Sequence, residues 1–366
     1  TFKLTINSTS YENFRLFGAN ILTTEAAPSS NPNLRKALWI RTGTLVLKGS
    51  LIIPSLSEGI AANSDYYIPA NGALIVDGVD VVVLSSADDY REINTAYTVT
   101  APDNATIGVT KGGFSAVDIF GKLQIDNGYL SARESGGLIT SNVASGQFII
   151  NDGTVDAKQL LSSTGSASFT QTGGLFILRG RFQRTPAAYS TVADLTDVSV
   201  ATLNTSRATN GISTGFGSFN LEQTTNIFTM SGGIIRIYDV CGIAGGEQEA
   251  FDVKSSTSNI NVTGGTLEIR PVTGTVLADA GSYFISTSTP LYNLLIDRVS
   301  SASIVQLKSS PLVVLNDLPL TSGDFAANNL NVSIGRNFSI AGGTSYTPGT
   351  NTTIFNGTGD QSFTVN

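Results

Sequence analysis

The sequence contains no histidine and a single cysteine, Cys241. Without histidine the chain cannot assemble a Ser-His-Asp triad or a Cys-His pair, and it cannot offer imidazole to a metal ion. One cysteine excludes a disulfide within the chain, and the surrounding sequence from Tyr238 to Ile243 indicates a small core residue. These absences remove every catalytic mechanism and metal site that depends on imidazole.

Charged residues are scarce as well, at 13% of the chain, and the formal net charge is −7 with a pI near 4.7. A surface with so few charges must be built from Ser, Thr, Asn and Gly, as in extracellular β-rich proteins. No long basic run is present, so nucleic acid is not an expected partner. The densest basic cluster, Arg179, Arg181 and Arg184, is interpreted as solvated charge at strand ends. No apolar run approaches the roughly 18 residues of a membrane span.

The sequence does contain a repeated pattern of two alternating apolar segments joined by glycines. In the clearest copy, from Phe169 to Leu178, Phe169 and Gln171 share one parity before the glycines, and Phe176 and Leu178 share one after them. Alternation of this kind is the period of a strand with one buried face. Further copies occupy residues 148–157, 228–237, 260–269 and 338–347, with looser ones at 39–47 and 68–76.

The glycines of this pattern are the residues that the sequence singles out as structural, because a bend with positive φ strains any residue that carries a Cβ. The second glycines are separated by 21, 59, 32 and 78 residues. One coil of a parallel β-solenoid takes roughly 20–30 residues, so the larger steps correspond to several coils with insertions. The predicted turn glycines are Gly153, Gly173, Gly174, Gly232, Gly233, Gly264, Gly265, Gly342 and Gly343.

We therefore predict an all-β fold, a right-handed parallel β-helix (β-solenoid) with lateral loop insertions. The alternative is a row of hairpins in a sandwich, because Gly-Gly between two strands also marks a hairpin. The solenoid is favoured, since a sandwich does not need the same turn five times, four of them with the same flanking phenylalanine. Its apolar interior is predicted to include Phe148, Phe169, Phe176, Ile235, Leu267 and Ile269.

The chain divides by texture into two regions. Residues 1–289 are predicted to form a solenoid with insertions near 24–36, 85–105 and 183–226, and residues 290–366 form a repeat module that continues it. A structureless loop as long as 183–226 is unusual in a compact domain. This segment is therefore either a lateral excursion on one face or a set of weak strands such as residues 198–200.

Four motifs follow one another in the last region: Tyr292-Asn-Leu294, Leu315-Asn-Asp-Leu318, Tyr346-Thr-Pro-Gly-Thr-Asn351 and Phe355-Asn-Gly-Thr-Gly-Asp-Gln361. In this order they resemble the repeat of very long surface proteins of gliding bacteria. Those proteins are exported by the type IX secretion system and include the mobile gliding adhesins. The resemblance covers residues 290–366 and is only generic before that.

The resemblance implies a non-enzymatic extracellular adhesin or structural stalk segment that serves attachment or gliding motility. It also implies a location on the outer face of a Gram-negative bacterium. The expected partners are neighbouring solenoid repeats of the same chain and a surface polysaccharide or solid substratum. A stiff rod of low charge needs no catalytic constellation, and binding is expected on residues 183–226 or 85–105, because loops vary without disturbing the coils.

The alternative function is a polysaccharide-acting β-helix enzyme, either a lyase or a hydrolase. A hydrolase needs two carboxylates facing each other across a groove. The strand acids are instead expected to face solvent as solubilising charges, so we predict no catalytic residue. These acids are Asp77, Asp80, Asp118, Asp156 and Glu268.

No cofactor and no metal site are predicted either. The oxygen-bearing turns Asn151-Asp152 and Asn316-Asp317 are the places where calcium would bind. They lack the spacing of calcium-bound β-rolls and of the EF-hand loop. We expect these side chains to hydrogen-bond their own backbone.

The two ends of the chain resemble the inside of a repeat. Residues 1–7 align with residues 291–297, with Leu4 on Leu294 and Ile6 on Ile296, and the last residues still alternate. A solenoid normally closes its ends with a polar or atypical cap, and neither end has one. We expect these 366 residues to be an interior piece of a much longer solenoid.

Overall fold

The structure is a computed structural model that describes about 60% of the chain. The described residues are 3–8, 40, 42–53, 56, 66–85, 116–132, 137–140, 146–157, 160–162, 168–178, 182–184, 192–195, 199–202, 219–221, 223–237, 249–270, 282–298 and 304–366. The predicted insertion at 24–36 lies outside them, and so does the insertion at 85–105 apart from Ser85, as do Arg179, Arg181 and Cys241. The chain divides into two compact units, residues 1–177 and residues 178–366. The predicted boundary at 289/290 falls inside the second unit.

The first unit contains twelve strands in its described part, most of them short and rich in β-branched residues, as parallel strands with buried faces are. They are β1 (Lys3–Ser8), β2 (Gly43–Ile53), β3 (Tyr66–Ile68), β4 (Gly72–Leu84), β5 (Ala116–Ile119), β6 (Lys122–Ala132), β7 (Gly137–Thr140), β8 (Gln147–Ile150), β9 (Thr154–Ala157), β10 (Leu160–Ser162), β11 (Ser168–Gln171) and β12 (Leu175–Leu178).

These strands form two parallel sheets. The first has the order β1-β2-β4-β6-β8-β11, with β9 pairing β6 and β12 pairing β9, and the second has the order β3-β5-β7-β10. Each strand lies beside one from the preceding repeat: Phe169 is opposite Phe148, 21 residues earlier, and Phe148 is opposite Leu123. Because a parallel neighbour must arrive by a crossover, the chain leaves the sheet and returns between these strands.

The second unit continues in the same manner with shorter strands. They are β13 (Phe182–Arg184), β14 (Val192–Leu195), β15 (Ser199–Thr202), β16 (Phe219–Leu221), β17 (Ile227–Ile237), β18 (Glu249–Val253), β19 (Ile260–Ile269), β20 (Ser282–Thr287), β21 (Asn293–Asp297), β22 (Ile304–Leu307), β23 (Leu312–Val314), β24 (Leu318–Ser322), β25 (Asp324–Ala326), β26 (Val332–Ile334), β27 (Asn337–Ile340), β28 (Ser345–Thr347), β29 (Thr353–Phe355) and β30 (Ser362–Val365). A 3₁₀ turn, Thr257–Asn259, precedes β19.

Three parallel sheets make up this unit. The first runs β17-β19-β21-β24-β27-β30 with β14 and β15 beside β17, the second runs β13-β16-β18-β20-β22-β25-β28, and the third runs β23-β26-β29. From β21 to β30 the chain visits the first, second and third sheets in strict rotation. We call one such round a level. Successive levels are 20 residues apart at Leu318 and Phe338 and 25 apart at Phe338 and Phe363.

Part of the segment 183–226 therefore belongs to the sheets. Residues 192–195 and 199–202 pair with β17, and residues 219–221 pair with β18. Of the two predicted alternatives, the described part of this segment forms strands.

The inward side chains form continuous apolar columns. All six predicted core residues are buried, and Phe148, Phe169 and Phe176 form a cluster whose ring centroids are each 5.4 Å apart. In the second unit Phe338 of the first sheet contacts Tyr346 of the second at 5.2 Å and Phe355 of the third at 6.5 Å. Rings from three sheets thus contact one another at Phe338, which is buried, although Phe355 is 39% exposed.

Gly173-Gly174 and Gly342-Gly343 lie between two strands, as predicted, but at the other two Gly-Gly pairs the strand continues, which corrects the prediction of a turn there. Gly232 and Gly233 lie within the single strand β17, and Gly264 and Gly265 lie within β19. The register between β17 and β19 shifts at this point, as it does at a β-bulge. The hairpin alternative is wrong, because the strand pairings described above are parallel.

Candidate functional site: a corner groove in the second unit

The predicted strand acids do not come together. Asp77 pairs with Lys48 at 2.5 Å and Asp80 accepts from the hydroxyl of Ser50, so both are matched to the neighbouring strand β2. Asp118 lies in the other sheet of the first unit, on β5 between positions 67 and 139 of its neighbours. Dispersed and individually partnered carboxylates do not form the opposed pair that glycoside hydrolysis needs.

Two of these acids are buried, whereas the sequence predicted that all five face solvent. Asp156 is 3% exposed and lies 3.4 Å from the phenol of Tyr129, and Glu268 is 7% exposed. Arg236 on the preceding strand donates to Glu268 at 2.6 Å. The prediction failed because a neighbouring level supplies the partner that makes burial of a carboxylate tolerable, and that partner is distant in sequence.

Outward polar side chains form ladders from level to level. Asn316 donates to the side-chain oxygen of Asn293 at 2.8 Å, and Asn337 donates to Asp317 at 2.8 Å. The hydroxyl of Ser362 then donates to Asn337. The turn Asn316-Asp317 was expected to bond its own backbone, but its side chains join successive levels instead. These ladders provide hydrogen-bond partners for polar side chains at the corner where β21, β24, β27 and β30 begin.

The other predicted turn, Asn151-Asp152, combines both behaviours. Asp152 accepts from the following amide of Gly153 at 2.7 Å, as expected. Asn151 links two levels, since it donates to Asp126 and accepts from the hydroxyl of Thr172. Among the described residues no group of three or more His, Cys, Asp or Glu side chains is arranged to hold a metal ion.

The predicted turn glycines occupy equivalent backbone positions. The first glycine of several pairs lies close to a carbonyl of the neighbouring level, as Gly173 does with Asn151 and Gly264 with Ser231. The second glycine of every copy has a positive φ, with values between 72° and 92°: Gly153, Gly174, Gly233, Gly265 and Gly343.

A cavity of the second unit lies at the corner between its third and first sheets, and we call it the corner groove. In two levels this corner is short: β23 ends at Val314 and β24 begins at Leu318, while β26 ends at Ile334 and β27 begins at Asn337. In the last level β29 ends at Phe355 and β30 begins only at Ser362. The longer segment, residues 356–361, forms a wall that projects beside the two shorter corners.

This wall is anchored at both ends. Gly357 lies so close to the carbonyl of Gly335 in the level before that a Cβ could not be accommodated. At the other end the amide of Gln361 donates to the carbonyl oxygens of Ile334 and Gly335, at 3.2 and 3.0 Å. Gly359, between these anchors, has no atom within 4 Å of the position where a Cβ would stand.

The corner groove has a volume of about 620 Å³ and a lining of mixed polar and apolar surface. Its two exposed apolar side chains, Val313 and Leu315, are 39% and 41% exposed. The charged residues are Arg336, whose guanidinium is 4.0 Å from Asp317, and Asp360. The remaining polar lining is Asn316, Asn337, Asn356, Thr358, Gln361 and Ser362.

Sequence reasoning did not find this groove. It placed binding on residues 183–226 or 85–105, whereas the groove is lined by Leu315, Asn316 and residues 356–361 of the motifs that suggested the resemblance, together with residues that it did not single out. The available signal was the difference in corner length between repeats, which becomes visible once Leu312, Val332 and Thr353 are aligned.

The chain was also compared with known proteins. No family model, no curated protein and no solved structure matches it. Within the described residues, no helix has the length and apolar character required to cross a membrane.

Proposed function

We propose that the chain is a right-handed parallel β-helix whose three sheets close around one interior. The strict rotation through the sheets from β21 to β30 supports closure, and so do the contacts of Phe338 with Tyr346 and Phe355. The hand follows from general chemistry, because crossovers between parallel strands are right-handed in nearly all cases.

The proposed function is that of a non-enzymatic adhesin or structural segment of a long extracellular repeat protein, on the outer face of a Gram-negative bacterium. It serves attachment or gliding motility after export by a type IX secretion system. The likeness of residues 290–366 to the repeat of gliding adhesins supports this role. The partners are further solenoid repeats and a polysaccharide or solid substratum, and the role needs no cofactor.

One structural observation carries the proposal. The described outer surface is built of amide and hydroxyl ladders such as Asn293–Asn316 and Asn337–Ser362, while the acids are dispersed among separate partners. A surface of neutral hydrogen-bonding groups suits contact with hydrated polymers and does not provide a catalytic pair.

The test is made on cells of the source bacterium. An antibody raised against residues 1–366 is expected to label intact cells, and cells lacking the gene are expected to attach less to glass or to polysaccharide-coated surfaces. Labelling that appears only after the cells are permeabilised would contradict the proposed location, and unchanged attachment and gliding would contradict the role.

A further inference from the structure

We propose that the corner groove is a binding site for a short stretch of neutral polysaccharide. This inference rests on the proposed adhesin function and names the part of the surface that contacts the ligand. The volume of the corner groove, about 620 Å³, falls inside the range of about 300–1,000 Å³ that small-molecule sites occupy.

Several polar side chains of the corner groove are available to a ligand. Asn356, Thr358 and Asp360 line the groove, are exposed, and make no side-chain hydrogen bond with the described residues. Together they offer an amide, a hydroxyl and a carboxylate within five residues of chain. A sugar hydroxyl both donates and accepts, so a mixture of donors and acceptors matches it better than a surface of one kind.

Other groove amides are held in a fixed orientation. The Nε2 atom of Gln361 is used by the carbonyls of Ile334 and Gly335, which leaves Oε1 to accept. The Nδ2 atom of Asn316 is used by Asn293, which leaves Oδ1 to accept. Side chains already ordered before binding lose less conformational freedom when the ligand arrives.

The groove has no cationic patch, and it exposes apolar surface beside its polar groups. Arg336 is opposed by Asp317 at 4.0 Å, and Asp360 contributes one further negative charge, so no cationic patch is present to attract an anionic polymer. Val313 and Leu315 expose apolar surface in the same groove. A neutral sugar presents C–H groups on its ring faces and hydroxyls on its rim, and this lining offers partners to both.

The glycines of the structure provide a matched pair of variants. Gly359 lines the groove, and a Cβ added there would meet no atom within 4 Å, so a large side chain has room at this wall. Gly342 is an equally exposed glycine outside the groove, where a Cβ would meet only the carbonyl of Asn366 at 3.8 Å. Gly359→Tyr therefore blocks the groove, and Gly342→Tyr adds the same side chain elsewhere.

The experiment is calorimetric titration of the full chain with three hexasaccharides. Two are neutral, a β-1,4-glucan and a β-1,4-linked N-acetylglucosamine oligomer, and the third is the anionic oligogalacturonate. At least one neutral hexasaccharide is expected to bind. Gly359→Tyr is expected to weaken that binding by about ten-fold or more, whereas Gly342→Tyr leaves it within about two-fold. If Gly359→Tyr does not fold, Asp360→Ala replaces it and is expected to weaken binding at least about three-fold.

Three outcomes overturn the inference: binding of neither neutral hexasaccharide, binding of oligogalacturonate alone, or equal affinity of the wild type and the groove variant. None of them concerns surface exposure or attachment of cells. A protein that labels intact cells and supports attachment, but binds no neutral hexasaccharide, would lose the groove assignment and keep the proposed function.

Discussion

Gly265 lies directly against Gly232 of the neighbouring level, so a Cβ added to Gly265 would come within 2.7 Å of the carbonyl oxygen of Gly232. The backbone at Gly265 also has a φ of +92°. Gly343 has a similar φ of +81°, but nothing lies within 4 Å of its Cβ position. The two glycines therefore separate the cost of a positive φ from the cost of a close approach between levels.

Gly343→Ala is expected to lower the free energy of unfolding by about 1–2 kcal/mol, the cost of the left-handed conformation alone. Gly265→Ala is expected to cost clearly more, about 3 kcal/mol or above, because the backbone of two levels must also separate. Urea unfolding of both variants gives the comparison. Equal losses would mean that the levels are not in contact at this column.

Phe338 and Phe363 provide a second matched pair, since they are register partners on β27 and β30 with very different exposure. Phe338→Ala is expected to cost about 3–5 kcal/mol, because it removes a ring that touches residues of two other sheets. Phe363→Ala is expected to cost less than about 1 kcal/mol. Thermal unfolding measures both. Similar losses would contradict a common interior for the three sheets.

The ladder at the corner predicts a difference between two substitutions at Asp317. Its Oδ1 atom accepts from the side chain of Asn337 at 2.8 Å and from the backbone amide of Asn337 at 3.2 Å. Asp317→Ala leaves both donors unpaired and is expected to cost about 1–3 kcal/mol.

Asp317→Asn is the control for this ladder. It keeps an acceptor oxygen and loses only the charge opposite Arg336, an exposed pair at 4.0 Å that contributes little. We expect it to cost less than half as much as Asp317→Ala in urea unfolding. If the two variants were equally destabilised, the charge and not the hydrogen bonds would hold the ladder.

Tyr66 predicts a dependence of stability on alkaline pH. The residue is 1% exposed, its hydroxyl has no hydrogen-bond partner among the described residues, and burial raises the pKa of the phenol. The folded protein therefore keeps a proton that the unfolded chain loses near pH 10. The contribution of the protonated Tyr66 phenol to the free energy of unfolding is fully present below about pH 10 and is lost as the pH rises further.

Tyr66→Phe is expected to change the free energy of unfolding by less than about 1 kcal/mol at pH 7, because no hydrogen bond is broken. At pH 11 the free energy of unfolding of the variant should rise by about 1 kcal/mol relative to that of the wild type, since the variant has no phenol to ionise on unfolding. Urea unfolding at both pH values tests this. The same difference at pH 7 and pH 11 would show that the Tyr66 phenol is not shielded in the folded protein.

The sequence allowed the strands and their buried faces to be predicted, because alternation is a local property. Phe148 and Phe169 were correctly placed inside by parity, whereas Gln171, which shares the parity of Phe169 and is fully buried, was not listed among the predicted core residues. The recurrence of one sequence pattern also favoured parallel strand pairing over hairpins, because every copy of the pattern was expected to form the same structure.

The contacts between levels could not be predicted, because spacing along the chain does not determine register. Glycine pairs were expected to end strands, but Gly232 and Gly233 lie within one strand, since the bend at a bulge does not stop pairing. The corner groove depends on how much longer residues 356–361 are than the corners beside them. That difference has meaning only after the three corners have been aligned by their strands.

The central claim is that this protein binds polysaccharide without cutting it. The most direct test incubates the full chain with pectin, alginate and chitin, and measures both the protein that sediments with insoluble polymer and the reducing ends or unsaturated products released. We predict that protein sediments with at least one polymer while the supernatant gains no product. Release of oligosaccharide that increases with time and with protein concentration would contradict the account and favour a polysaccharide-degrading enzyme.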